Sequence, residues 1–277
     1  MFGLGLGKLG SPGGIEEVWS PLNLFASGEE GAWYDPSDLT TLYQDAAGTT
    51  PVTAVGDPVG RVEDKSGNGN HASQSTAAAR PIYRQDGNGK FYLDFDGVDD
   101  AMATGSIDFS ATDKMSMFAG VHKDSDAAAG ILAELSATYA TNVGAFGVAA
   151  PGGQVLAANY GALLSGAGGH FNASTTASFT SPTSNAVTGL YDIAQAVRAE
   201  ELTFRVDAVE QSMTYGVDAS AGTGNFGNYP LYLGARAGTS IFFNGRIYSL
   251  IVRGAASNDA EIAAAEAWVA SKTGVTL

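Results

Sequence analysis

Apolar and polar residues alternate along much of this chain in short runs, and Gly, Asn, Asp and Ser interrupt them at regular intervals. Phe91, Leu93 and Phe95 alternate with Tyr92, Asp94 and Asp96, the period-two pattern of a strand that buries one face. Strand-like segments recur at Met115–Val121, Gly130–Leu135, Ala145–Ala149, Val155–Ala158, Gly189–Val197, Leu202–Val206, Gln211–Tyr215, Leu231–Gly234 and Phe242–Val252. This spacing predicts an antiparallel sandwich of roughly twelve or more strands. Residues 160–188, rich in Ala, Gly, Ser, Thr and Asn, fit either long loops or edge strands. One segment has helical period: Ile262, Ala265, Glu266 and Val269, with Ser257 or Asn258 as N-cap, Glu261 just inside and Gly274 as the stop. A helix is therefore expected over 258–272, packed on the flank of an all-β domain. No internal repeat suggests a propeller or β-helix.

Composition narrows the picture. At 277 residues and 44% hydrophobic content, the chain can build a substantial core, and the 37 glycines suit tight turns without following a collagen period. Twenty-nine Asp+Glu against 14 Lys+Arg give a net charge of −15, with no basic run. Nucleic acid and anionic membranes are thus poor partners, because neutralising phosphates is the main source of such affinity. Divalent cations remain compatible. The absence of cysteine removes disulfides, thiol nucleophiles and thiolate metal sites together.

The first 27 residues read as an extended arm and linker ahead of a domain at 28–277. Phe2, Leu4, Leu6 and Leu9 are apolar but interrupted by glycine, and Gly10-Ser-Pro-Gly-Gly14 is a breaker. A basic region ahead of the apolar part is missing, which argues against a secretory signal, and no apolar run reaches membrane-spanning length. An arm carrying these residues with Trp19, Leu22, Leu24 and Phe25 cannot bury them on itself. It is expected to dock on neighbouring subunits of a homo-oligomer or multicopy particle.

Three ordered groups of motifs carry a family resemblance. They are Trp33-Tyr34-Asp35-Pro36-Ser37-Asp38 with Asp64-Lys-Ser-Gly-Asn-Gly-Asn70, Phe95-Asp-Gly-Val-Asp-Asp100, and Leu231-Tyr-Leu-Gly234 with Phe243-Asn-Gly-Arg-Ile-Tyr248. Together they resemble a LamG-like domain of the concanavalin A-like lectin/glucanase superfamily, in the version associated with tailed-phage and prophage virions. The resemblance implies a two-sheet antiparallel jelly roll. It further implies a non-enzymatic virion surface protein, made in the host cytoplasm, that decorates a head or tail, contacts other virion proteins through its arm and binds host glycans. A secreted glycan-processing enzyme of the same fold and a ligand-free structural cement are the alternatives.

The candidate chemistry is sparse. Asp64-x-Ser66-x-Asn68 has calcium-loop spacing, but Ser75 stands where a closing glutamate is needed. Asp96 and Asp99 offer further hard oxygens, so calcium is a candidate at Asp64, Asn68, Asp96 and Asp99, against the simpler reading of both segments as turns capped by Asx side chains. No Glu-x-Asp-x-x-Glu strand supplies the paired carboxylates of a glucanase, and Glu200 and Glu201 would face opposite sides of a strand. His71, His122 and His170 lie apart, away from any Gly-x-Ser-x-Gly elbow, and are expected to be satisfied or solvent-facing. The glycine-rich loop at 222–228 is expected to leave Phe226 free to stack on a sugar, with Asn225, Asn228 and Tyr229 as partners. No catalytic residue is assigned.

Overall fold

The computed structural model describes residues 19–152, 158–216 and 220–277. Its strands are β1 (Gly31–Tyr34), β2 (Leu42–Tyr43), β3 (Arg61–Val62), β4 (Ala72–Ser73), β5 (Ile82–Gln85), β6 (Phe91–Asp96), β7 (Met102–Asp108), β8 (Lys114–Lys123) and β9 (Ile131–Leu135). They continue as β10 (Phe146–Ala149), β11 (Gly161–Gly166), β12 (Gly169–Thr175), β13 (Thr183–Asp192), β14 (Leu202–Val206), β15 (Val209–Glu210), β16 (Met213–Tyr215), β17 (Asn228–Leu233) and β18 (Asn244–Arg253). Among the described residues there is one α-helix, α1 (Asp259–Thr273), near the C-terminus.

The strands form an all-β sandwich of two antiparallel sheets. The eight-stranded sheet runs β15-β14-β13-β8-β18-β6-β5, with β1 added along β18, and the ten-stranded sheet runs β16-β12-β11-β10-β9-β17-β7-β4-β3-β2. Between them lies the main core, which takes Leu93 and Phe95 from β6, Val121 from β8, Leu135 from β9, Phe146 from β10, Leu164 from β11, Phe171 from β12 and Ile247 from β18. The period-two pattern is thus realised as expected. Gly31, at the start of β1, shows why one glycine is fixed: its φ is +150°, and a Cβ there would collide with the Val252 carbonyl across the β1–β18 ladder.

The outer face of the eight-stranded sheet carries α1. Ala265, Val269 and Ala270 pack on Phe118, Ala186 and Ile251, with Trp33 meeting Trp268 edge to face at 5.6 Å. The helix begins with a capping box: Asn258 accepts from the Ala260 and Glu261 amides, and the Glu261 carboxylate accepts from the Asn258 amide. Gly274, with φ +78°, closes it in the left-handed region.

Part of the expected arm belongs to this layer. Leu24 and Phe25 are buried in the same cluster, and Trp19 packs against it, so the linker reading is corrected from Trp19 onward. The physical reason is the apolar surface that α1 leaves on its flank, which these side chains cover. Phe2, Leu4, Leu6 and Leu9 lie outside the described residues.

Candidate functional site

The outer face of the ten-stranded sheet is roofed by loops instead of a helix. In register across this face run Tyr232 on β17, Glu134 on β9, Gly147 on β10, Leu163 on β11 and Asn172 on β12. The β9–β10 connection brings Tyr139 over the row, and the β17–β18 connection brings Arg236 and Ile241. A cavity of about 50 Å³ remains between sheet and roof, lined by Ile131, Tyr139, Leu163, Asn172, Arg236 and Ile241 among others. That is room for a few water-sized groups, enough for one substituent of a sugar and too little for its ring.

The polar groups of this site are organised by one buried carboxylate. Glu134 is fully buried. Its Oε1 accepts from the Tyr139 amide at 2.8 Å and its Oε2 from Arg236 Nε at 2.9 Å. Burial pushes the Glu134 carboxyl above its ordinary value, and the Arg236 guanidinium pulls it back. Arg236 also lies over the Tyr139 ring, 5.3 Å from its centre, and His170 meets the same ring edge-on at 5.5 Å. Burial raises the Tyr139 phenol, with Arg236 opposing. Beside them Asn172 Oδ1 is buried with no hydrogen-bond partner. An acceptor left in this state costs about 1–3 kcal/mol, which a donor on a ligand would recover. The cavity is therefore lined by both a positioned guanidinium donor and the Asn172 amide, whose Oδ1 lies on the Gly216 side. A hydroxyl-bearing ligand, which both donates and accepts, matches that pair.

The residues singled out from the sequence behave differently. Phe226 is only 2% exposed and packs edge-on against Phe146 at 5.8 Å, so it cannot stack on a sugar. The glycines that seemed to strip its surroundings instead let the loop fold down and deliver the ring into the core. Asn225 reaches the Ser110 carbonyl at 2.6 Å, Asn228 is exposed where β17 pairs with β7, and Tyr229 donates to the Val143 carbonyl at 3.1 Å. They form no platform around Phe226.

Both oxygens of Asp64 are occupied by the turn itself. Oδ1 accepts from the Trp33 and Ser66 amides, and Oδ2 from the Asn70 amide and the Ser66 hydroxyl. Asn68 donates to the Glu29 and Gly31 carbonyls. These side chains tie the loop to β1, which is the Asx-turn reading. Asp96, Asp99 and Asp100 bring one oxygen each within 4.8 Å of one another. Here too the backbone uses two of the three: Asp96 accepts from the Val98 and Asp99 amides, and Asp100 from the Asp96 amide. Asp64 and Asn68 belong to one turn and Asp96 and Asp99 to another, so the four are not one ligand set.

Glu134, Tyr139, Asn172 and Arg236 carried no sequence signal. Strand register places Glu134 and Asn172, and the roofing loops bring in Tyr139 and Arg236, although a lone glutamate inside the apolar run Ile131–Leu135 was a visible irregularity.

The fold is that of a two-sheet antiparallel β sandwich with a C-terminal helix on one face. No protein-family model matches the chain, and no curated protein sequence does. Among solved structures, a Trypanosoma rangeli sialidase in complex with sialic acid matches with a TM-score of 0.53 and 13% identity, over 91% of this chain and 37% of that one. A botulinum neurotoxin type C structure, described as entering cells through interaction with two ganglioside molecules, matches with a TM-score of 0.54 and 8% identity, over 90% of this chain and 53% of that one. This chain therefore spans about a third to a half of those chains, and at such identities the likeness is one of fold. It nonetheless corrects one expectation. The same sandwich forms part of an enzyme chain, so the fold and the missing glucanase motif do not place this protein outside catalysis.

Proposed function

We propose that this protein is a glycan-binding sandwich of the LamG, concanavalin A-like type, serving a glycan-processing protein, and that the loop-roofed cavity over the ten-stranded sheet holds a sugar substituent. The observation that carries the reading is the cavity lined by both Arg236, itself fixed by Glu134, and Asn172, whose buried Oδ1 has no hydrogen-bond partner. In this arrangement Arg236 donates to a ring or exocyclic oxygen and Asn172 accepts a hydroxyl proton. The Tyr139 and His170 rings bound the apolar side. Attachment to a virion rested on family resemblance and gains no support from the similar structures.

A glycan array followed by calorimetry tests the proposal. The parent should bind a restricted set of glycans, and Asn172→Leu and Arg236→Met should each lose that binding at least tenfold while keeping the β-rich circular dichroism spectrum. Binding unchanged in both variants would place the site elsewhere. A polysaccharide hydrolysis screen on the same samples tests whether the chain also turns over what it binds.

A further inference from the structure

The eight-stranded sheet holds a second constellation on the part of its outer face beyond the C-terminal end of α1. The helix stops over Gly120, where Thr273 makes the nearest approach. Two residues further along β8, the face turns polar. His122 stands opposite Ser184 on β13 and opposite Arg246 on β18, and Arg246 stands opposite Asp94 on β6. Ser184 Oγ lies 2.7 Å from His122 Nδ1. His122 Nε2 lies 3.3 Å from Asp124 Oδ1. Asp124 is in turn held by Arg246, whose Nη2 donates to Oδ1 at 3.0 Å and whose Nε reaches Oδ2 at 3.4 Å. Burial works against the charge on Asp124, but the His122 and Arg246 contacts keep its carboxyl below the ordinary value.

We infer that Ser184, His122 and Asp124 form a hydrolytic constellation that cleaves short-chain carboxylic esters, an activity separate from the glycan cavity on the other sheet. The geometry meets the two requirements of an activated serine: a nucleophile hydrogen-bonded to a base, and a base oriented by a third group. An ionised Asp124 accepting from Nε2–H fixes the tautomer whose free lone pair is on Nδ1, the atom facing Ser184. In the reaction, the Ser184 hydroxyl proton passes to Nδ1 as Oγ bonds to the acyl carbon. The carbonyl electron pair moves to oxygen and returns as the C–O bond to the alcohol breaks. The departing alkoxide takes the proton from His122. Water then attacks the acyl-serine and gives a proton to Nδ1; the carboxylic acid leaves, and Oγ recovers its proton.

The substrate class follows from the surroundings. The cross-strand neighbours Arg246 and Asp94 are charged, with the Tyr92 ring against Arg246, which favours a small acyl group over a long apolar chain. Ser184 itself is half-buried, and the side chains of His122 and Asp124 are 14% and 30% exposed, so the three groups open to solvent. Ser184 lies within a strand and not at a strand-to-helix elbow, so the acceleration expected is that of general-base activation, about 10²–10⁴-fold.

The test uses the full chain with p-nitrophenyl acetate and a fluorophosphonate probe. The parent should hydrolyse the ester catalytically and carry one phosphonyl adduct, which peptide mass spectrometry places on Ser184. Ser184→Ala should lose both at least a hundredfold, and His122→Gln should match it. Asp124→Asn should lose turnover while Ser184→Ala and Asp124→Asn keep the parent's melting temperature within a few degrees. Turnover that survives Ser184→Ala, or an adduct found only on other residues, would overturn the assignment. So would a folded parent that forms no adduct at all.

Discussion

Glu134 and Arg236 show how much one buried charge controls. Glu134 has no solvent exposure and Arg236 keeps 22% of its side chain exposed. Removing the arginine leaves an uncompensated carboxylate in the sheet, which costs about 3 kcal/mol or more. Arg236→Ala should therefore lower the urea midpoint clearly at pH 8. Burial has already raised this carboxyl, and losing Arg236 raises it further, so the loss should shrink as acid protonates Glu134. Replacing both partners, as Glu134→Gln with Arg236→Met, should recover much of the stability while still abolishing glycan binding. Asp100 offers a second titration. Burial, with the nearby Asp96 and Asp99 charges adding to it and the Asp96 amide opposing, pushes its carboxyl up to about 6. A folded value above the unfolded one favours the protonated fold, so Asp100 contributes no penalty below about pH 4 and a growing one as pH rises to 6. Asp100→Asn should match the parent at pH 4 and exceed it by about 2 kcal/mol at pH 8, as read by denaturant titration.

At the level of elements, α1 was legible because its signals are local. The cap, the acidic residue three positions on and the terminal glycine stand next to the apolar period, and the helix runs over 259–273 where 258–272 was expected. Asn258→Ala should cost about 1 kcal/mol in chemical denaturation, since it frees two amides at once. The β11–β12 hairpin was illegible for the opposite reason. Gly161–Gly166 and Gly169–Thr175 are almost wholly buried, yet they are built from Gly, Ala, Ser and Asn beside their few large apolar residues. Such strands show no alternation of hydropathy because the loop roof covers the face that would otherwise carry charge. β13 was placed too late for a related reason: Thr183–Asn185 opens it with polar residues, one of which, Asn185, turns inward to accept from the Tyr160 hydroxyl. The candidate site shares this property, because cross-strand register brings together residues that sequence distance separates.

For the whole molecule, the buried Leu24 and Phe25 change what a truncation should do. Each contributes roughly 1.5–3 kcal/mol by leaving water. A chain starting at residue 26 should therefore be about 3–6 kcal/mol less stable than one starting at residue 19, measured by thermal or urea unfolding. If the two were equally stable, the packing of this segment on the helix layer would be energetically idle.

The segment from Trp19 to Phe25 and the closing Val275 pack in one cluster on the helix-bearing sheet. Anything joined after Leu277 would therefore leave from that flank, and the loop-roofed sheet would be carried on the far side. The C-terminal lead thus sits at the back of the sandwich with the roofed face forward. A tandem copy or a fused partner could be attached after Leu277 without shading the cavity.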